Sequence, residues 1–438
     1  MSENKPDIHI PEVIPELERG PLWLRELRRT SREAYNSTPI PARGLHLWRY
    51  TDPVKFVVDR SGAADTPYGD NYDDVEKVEL NNLSEGHLSG LVSDFGGREI
   101  RFHGFEKLLA DGIVVTTISE ALEKYHSIVE EHLYQLVGSR SGKFEAMNGA
   151  LWNDGIFIYI PDGKSVDKPI HLLREAGLAG SAQFPRTLVV VGRNAGLTLV
   201  DEYGGGTTEE SAPGSYSNGA VEIFGQADSR TRYIMLQRQT QSTTSYLTHR
   251  ARIDRGASMF TFALSFGGDT SKQNFGVILN GPGAESKMYG LLFGADYQHF
   301  DNHTLHHHAA GQTRSDIDFK VVLRDKALSA YTGLIKIDRQ AKACEAYQEN
   351  RNLLLNKGTR AETIPELEIL NEDVMCSHGA TIGPIDPMMV FYLQSRGVEY
   401  QQAMRMIVSG FVSDTLQQVP GDLQERITGF VNQRLEHL

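Results

Sequence analysis

The stretch E-D-V-M-C-S-H-G-A-T-I-G, residues 372–383, sets a thiol and an imidazole two positions apart, at Cys376 and His378. Strand side chains alternate between faces, so in an extended segment both groups share one face. That arrangement suits two chemistries: a thiolate nucleophile beside its base, or a pair of soft ligands for a transition metal. The first needs a group to orient the imidazole and donors for an oxyanion, and neither is legible nearby. The second needs about four ligands, so others must come from elsewhere. A third reading is purely structural, a thiol and an imidazole packed in a turn. Spacing alone leaves all three open.

A second cluster, Y-Q-H-F-D-N-H-T-L-H-H-H (297–308), holds His299, Asp301, His303, His306, His307 and His308. Imidazoles in this number could bind a transition metal, and His303, His306 and His308 are candidate ligands. In a strand, His306 and His308 share a face that His307 does not, so one ion cannot collect them all. A polar sheet surface or a subunit interface is the competing reading. A stand-alone His-cluster metalloprotein would carry stoichiometric metal.

Gly163-Lys164-Ser165 looks like the end of a phosphate-binding loop, but Ile158 stands where the motif needs its first glycine. Residues 156–160 read as a strand followed by a P-D-G-K turn, which excludes nucleotide binding here. The sequence contains no G-x-S-x-G elbow and no H-E-x-x-H helix. Asp316 and Asp318 fall on one face of a strand, and such a pair on a β-solenoid would suit polysaccharide cleavage. That is the alternative function, and it expects a secreted protein.

The chain has 438 residues, 40% hydrophobic and 23% charged, with a net charge of -13. These values describe a globular protein with room for about three domains. The acidic balance excludes nucleic acid and anionic membrane as partners, since no excess of positive charge displaces counterions. Two cysteines build no disulfide framework and point to a reducing compartment. The opening residues M-S-E-N-K-P-D-I-H-I form no apolar h-region, and no apolar run is long enough to span a bilayer. A cytoplasmic protein is expected.

Three zones position the candidates. Residues 1–143 read as helical and loop-rich, with a helix opening at Pro21 and stopped by N-S-T-P (36–39), a Gly- and Asp-rich patch at 61–74, and an amphipathic helix over 117–137. Residues 144–383 read as a β-core of short strands such as G-I-F-I-Y-I-P, R-T-L-V-V-V-G and F-K-V-V-L. An alanine at a tight turn recurs there at Ala195, Ala227, Ala257, Ala284 and Ala327. Irregular repeats with small corner residues suit a β-solenoid, although ordinary hairpins fit the same pattern. Residues 384–438 are helical again, with Asp386-Pro387 opening one helix, another over 399–417, and a last one from Asp422.

The segments C-E-A-Y-Q-E-N-R-N-L-L-L-N (344–356), I-P-E-L-E-I-L-N-E-D-V-M-C-S-H-G-A-T-I-G (364–383) and F-Y-L-Q-S-R-G (391–397) resemble the SufB/SufD family of iron–sulfur cluster assembly proteins. The likeness extends to F-D-N-H-T-L-H-H-H, G-I-F-I-Y-I-P-D-G and the N-terminal L-H-L-W-R-Y-T-D-P (45–53). Within the family the sequence is most similar to SufD. SufB proteins carry glutamates on both sides of the histidine, where this chain has Ser377 and Gly379, and cysteines in the β-core, where residues 144–343 have none. The resemblance implies a mainly β protein with a right-handed parallel β-helix core flanked by N- and C-terminal helical domains. It implies a non-catalytic scaffold of a SufBCD complex, pairing through its β-helix with a SufB-like subunit or with itself. The C-terminal helices would dock a SufC ATPase, whose ATP-driven closure pulls on the paired cores. His378 then faces a SufB cysteine, with Cys376 beside it. A transient iron–sulfur cluster in the complex is expected, with no cofactor held tightly by the isolated chain.

Overall fold

The computed structural model describes residues 9–11, 19–58, 72–95, 99–176, 180–205 and 214–436. The Gly- and Asp-rich patch of the sequence lies outside the described residues up to position 71.

Two ten-stranded, mostly parallel sheets wind around one lumen. The first runs from Glu99–His103 and Gly90–Phe95, through every second strand of the core, to Val374–Pro384. The second ends at Arg360–Ile369. The chain alternates between sheets, so each strand pairs with the one a full coil later. Thr244 pairs with Thr270, Thr270 with His299, His299 with Leu328 and Leu328 with Arg360. The core is therefore a parallel β-solenoid with coils of unequal length. Such coils bury their apolar faces only by stacking. The lumen is filled by Ile158, Val189, Ile223, Ala251, Val277 and Ile317 from successive coils.

The repeat that sets the corner is a left-handed residue followed by a small buried one. Asn194, Asp228, Gly256, Gly283, Gln312 and Ala343 all have positive φ. Each donates its N–H to the next coil, for example Asn194 to the Ala227 carbonyl at 3.0 Å and Ala343 to that of Asp373 at 2.7 Å. The residues after them are Ala195, Ser229, Ala257, Ala284, Thr313 and Cys344, all buried. The alanine spacing of the sequence thus marks a real corner at three positions. Ala227 sits two residues short of the buried position, and Ala327 belongs to the opposite corner, beside left-handed Asp325. Tight corners exclude large side chains without requiring alanine, which is why the repeat looks irregular. Gly163 is a corner residue of the same kind, with φ of 71° and its N–H on the Arg193 carbonyl.

Helices cover the outer faces. Leu22–Ser37 packs on the fully buried helix Lys143–Leu151. Around them Trp48, Phe56, Phe144 and Trp152 meet Leu188, Phe224 and Tyr246 of the second sheet. The helix expected over 117–137 is instead a strand, Val114–Thr117, and two short helices, Ile118–Lys124 and His126–His132. Thr117 caps the first helix by accepting from the Glu120 N–H, and the chain breaks at Tyr125. The C-terminal helices Pro387–Ser395, Tyr400–Leu416 and Gly421–Glu436 follow the expected pattern, with Asp386 capping the first. Val408, Val412, Leu423, Ile427 and Val431 seat them on Ile234, Phe262, Leu264 and Leu291 of the first sheet.

The two ends of the solenoid differ. At the start, antiparallel strands close both sheets, Glu99–His103 on Gly90–Phe95 and Val114–Thr117 on Ile156–Ile160. At the other end Arg360–Ile369 and Val374–Pro384 are the last strands of their sheets, and among the described residues each pairs on one side only.

Candidate functional site

Cys376 and His378 lie on this last strand. Cys376 is abreast of Ala346 and His378 of Gln348. Cys344, Ala346 and Gln348 are buried toward the lumen, so alternation turns Val374, Cys376 and His378 inward at the uncovered mouth. Both groups do share a face, as the extended reading required.

Their environments diverge. Cys376 is half-buried against Ile335, Ile337, Ala341, Cys344 and Ala346. Burial pushes its thiol up, and the neighbouring Cys344 adds to the shift. A thiol held protonated is a poor spontaneous nucleophile. His378 is exposed. Among the described residues no side chain hydrogen-bonds its ring, so nothing orients it as a base. The strand therefore offers a thiol and an imidazole without the remainder of a catalytic dyad or a ligand shell. Around them the rim mixes exposed apolar side chains, Tyr347, Ile369, Leu370, Met375 (68%) and Ile382, with exposed Glu368, Glu372 and Asp373. Unpaired strand edges with exposed apolar side chains are surfaces that pair with another chain.

The histidine-rich strand, His299–His308, has a different task. His306 and His308 point into the solenoid, where His306 Nε2 meets Ser286 Oγ at 2.9 Å and His308 meets Thr313 and Ser315 at 2.7 and 2.8 Å. Burial lowers their pKa values to about 3 and about 4, so both are neutral. His303 lies on the opposite face, and the three candidate ligands are not brought together. His307 pairs with Asp338 at 3.0 Å.

On that outer face a buried polar network holds the L-H-L-W-R-Y-T-D-P segment. Lys272 Nζ donates to the Leu47 carbonyl at 2.9 Å and to Asp301 at 2.8 Å, and lies 2.7 Å from His303 Nε2. Thr51 donates to Asp301 at 2.5 Å and sits 3.0 Å from His299 Nε2. Trp48 places its ring 4.8 Å from the Lys272 ammonium. Burial alone would raise the Asp301 pKa, but Lys272 and His303 outweigh it and hold the carboxyl well below its usual range. Burial and the Lys272 charge both lower His303, only partly opposed by Asp301. This network is invisible to sequence spacing because Thr51 and Asp301 stand 250 positions apart. The only signal was that both motifs carried the same family resemblance.

The aspartate pair does not share a cleft: Asp316 lines an open surface groove with Lys287, Tyr347 and Ser377, and Asp318 is not part of that lining. Tyr289 donates to Asp316 at 3.2 Å, and Thr415 of helix Tyr400–Leu416 donates to Asp318 at 3.1 Å. Burial raises both carboxyls. The contact from Thr415 ties Asp318 to the C-terminal helix and separates its setting from that of Asp316. Lys164 pairs with Asp111 at 3.3 Å, on a corner rather than a phosphate loop. Among the described residues no helix is long and apolar enough to cross a membrane.

Comparison with known proteins agrees with this architecture. Residues 173–411 match the family "SUF system FeS cluster assembly, SufBD core domain", and residues 18–172 match "SufBD protein N-terminal region". The chain is 26% identical over 416 residues to the iron–sulfur cluster assembly protein SufB of Bacillus subtilis, covering 94% of this chain and 89% of that protein. It is 25% identical over 418 residues to an iron–sulfur cluster assembly SufBD family protein of Staphylococcus saprophyticus, with the same coverage. A SufBD family protein of Staphylococcus epidermidis is 24% identical over 413 residues, 93% of this chain and 88% of that one. The chain belongs to the SufB/SufD family of iron–sulfur cluster assembly proteins.

Proposed function

We propose that the chain is a SufD-type, non-catalytic scaffold subunit that supports iron–sulfur cluster assembly, and iron entry, at an interface with a SufB-like partner in the cytoplasm. One observation carries this reading. The solenoid ends in an uncovered mouth where His378 and Cys376 face inward with neither an orienting group nor enough ligands of their own. Half a site at an open edge is what a shared assembly site requires. Soft thiolate and imidazole ligands split between two subunits can hold a nascent cluster and release it when the subunits part. The cluster is cargo of the complex, and no cofactor resides on the isolated chain.

The SufD assignment rests on Ser377 and Gly379 beside His378 and on the absence of cysteine from residues 144–343, although one relative is itself named SufB. The exposed apolar side chains of the rim suit pairing with a SufB-like subunit or a second copy. Met388, Met389, Phe391 and Tyr392 are exposed on the first C-terminal helix, which suits docking of a SufC-type ATPase. The test is anaerobic reconstitution of the complex. His378→Ala should abolish cluster absorbance while the subunits still co-purify. Unimpaired reconstitution by that variant would place the site elsewhere.

A further inference from the structure

Far from the mouth, four separate segments of the chain meet at a buried cluster of charge on the outer face of the first sheet. Glu79 comes from helix Tyr72–Ser84, His171 from strand Ile170–Ala176, Glu202 from strand Gly196–Gly205 and Arg426 from helix Gly421–Glu436. The Arg426 guanidinium reaches both Glu79 oxygens, at 2.7 and 3.0 Å, and Glu202 at 2.8 Å. His171 Nδ1 lies 3.0 Å from Glu79 and its Nε2 3.2 Å from Glu202. Arg238 closes the network on Glu202 at 2.7 Å. Ligand atoms of Glu79, His171 and Glu202 fall within 4.8 Å of one another, a spacing a divalent cation could use. Two guanidiniums already supply the balancing charge, so the arrangement serves to join elements and not to bind metal.

We propose that Arg426 is a latch that couples the C-terminal helix to the N-terminal helix through the solenoid wall, so that loosening either helix loosens the other. Leu423, Ile427 and Val431 seat the C-terminal helix on the sheet, but apolar packing tolerates small shifts in register. A guanidinium forked onto one carboxylate and bonded to a second does not. Removing Arg426 would leave Glu79 only His171 and Asn82, and Glu202 only His171 and Arg238, so two buried carboxylates lose a charged partner and the cost falls on both helices at once. Glu76, one turn before Glu79, is engaged by Arg101 and His103 and takes no part.

The same geometry makes the latch sensitive to alkali. Both ring nitrogens of His171 face carboxylates, and only the imidazolium donates to both. The strands on either side put Leu91 and Val200 abreast of it. The charged groups facing the ring are therefore Glu79, Glu202 and Arg426, with Arg238 behind Glu202. Burial and Arg426 oppose the ring's charge, but the two carboxylates prevail and hold its pKa above the usual value. The histidine's contribution is thus complete below its unfolded pKa and lost as pH rises through the folded one.

Hydrogen exchange on the full chain, without any partner, tests the coupling. Arg426→Gln should raise exchange in helix 72–84 as well as in helix 421–436, and Glu79→Gln should likewise raise it in both helices, each by roughly five- to a hundredfold. The double variant should exceed the larger single effect little or not at all. If Arg426→Gln misfolds, Arg426→Lys keeps the charge without the fork and should show the same two-helix pattern more weakly. Effects confined to the substituted helix, or additive in the double variant, would overturn the latch. Under the proposed function this latch would carry motion of the docked ATPase into the solenoid. That consequence rests on the docking reading, whereas the exchange experiment does not.

Discussion

Acid should unfold this protein through its histidines, and His249 is the place to demonstrate it. Its ring is fully buried, stacked on Tyr233 at 4.5 Å, and neither nitrogen has a hydrogen-bond partner among the described residues. Burial, with some repulsion from Arg250, lowers its pKa to about 3. His306 is likewise lowered to about 3, and His299 and His308 to about 4. A histidine with a depressed folded pKa leaves the native state fully stable above its unfolded pKa and costs stability as pH falls below it. At pH 5 each of the four costs about 2 kcal/mol, together about 8 kcal/mol. That is comparable with the whole stability of a typical domain, about 5–15 kcal/mol. His171 works the other way and offsets a part of the loss. Substituting His249→Phe keeps a flat ring on Tyr233, removes a buried polar group without partners, and should change stability at pH 7 by no more than about 1 kcal/mol. It should move the acid midpoint down by about half a pH unit and lower proton uptake on unfolding by one equivalent. Circular dichroism against pH gives the midpoint, and potentiometric titration gives the uptake. An unchanged midpoint in a variant that is intact at pH 7 would refute the attribution to buried imidazoles.

Two further outcomes follow from the polar network and the thiols. Lys272→Met strands the Asp301 carboxylate and should cost about 3–5 kcal/mol, whereas Lys272→Met with Asp301→Leu should recover most of it. Release of residues 45–53 would show as a red shift of the Trp48 fluorescence. Under native conditions at pH 8, iodoacetamide should label Cys376 alone and more slowly than free cysteine, because Cys344 is buried at a corner and Cys376 is held protonated. Rapid labelling of both would contradict the packing.

The repeat made a solenoid as plausible as ordinary hairpins because its constraints are local, and the family resemblance decided between them. A left-handed residue followed by a small one recurs at each turn of one corner, and the strands between are rich in β-branched and aromatic residues. The reading slipped where another residue meets the same constraint, as Ser229, Thr313 and Cys344 do in place of alanine. The 117–137 helix failed because apolar residues in a strand and in two short helices imitate one helical face, while the Thr117 cap that divides them is a single side-chain contact. For Cys376 and His378 the sequence showed a shared face but not which way it turned. Direction depends on the pairing with Ala346 and Gln348, which spacing does not encode. The His299–His308 cluster misled because histidines that satisfy buried hydroxyls and histidines that bind metal have the same spacing. The Arg426 network left no local signal, since Arg426 and Glu79 are 347 positions apart.

Solenoids need caps, because a terminal coil exposes both an apolar lumen and a row of unpaired backbone groups. Among the described residues, antiparallel strands close the first coil and no strand covers the last one. The open coil is nonetheless fully formed, with Val374–Pro384 paired along its whole length to Cys344–Leu354. A strand kept in register with one edge bare is a template for a second edge. The inward residues of that edge strand pass from Val374 through half-buried Cys376 to exposed His378, with Cys344 sealed in the corner of the coil beneath. Covering the mouth would therefore change the surroundings of His378 most, those of Cys376 less and those of Cys344 hardly at all. On the proposed reading, chemistry that must begin on association and end on separation belongs at the His378 end of that strand. The gradient of burial from the coil beneath to the end of the edge strand then determines which side chain a partner can control.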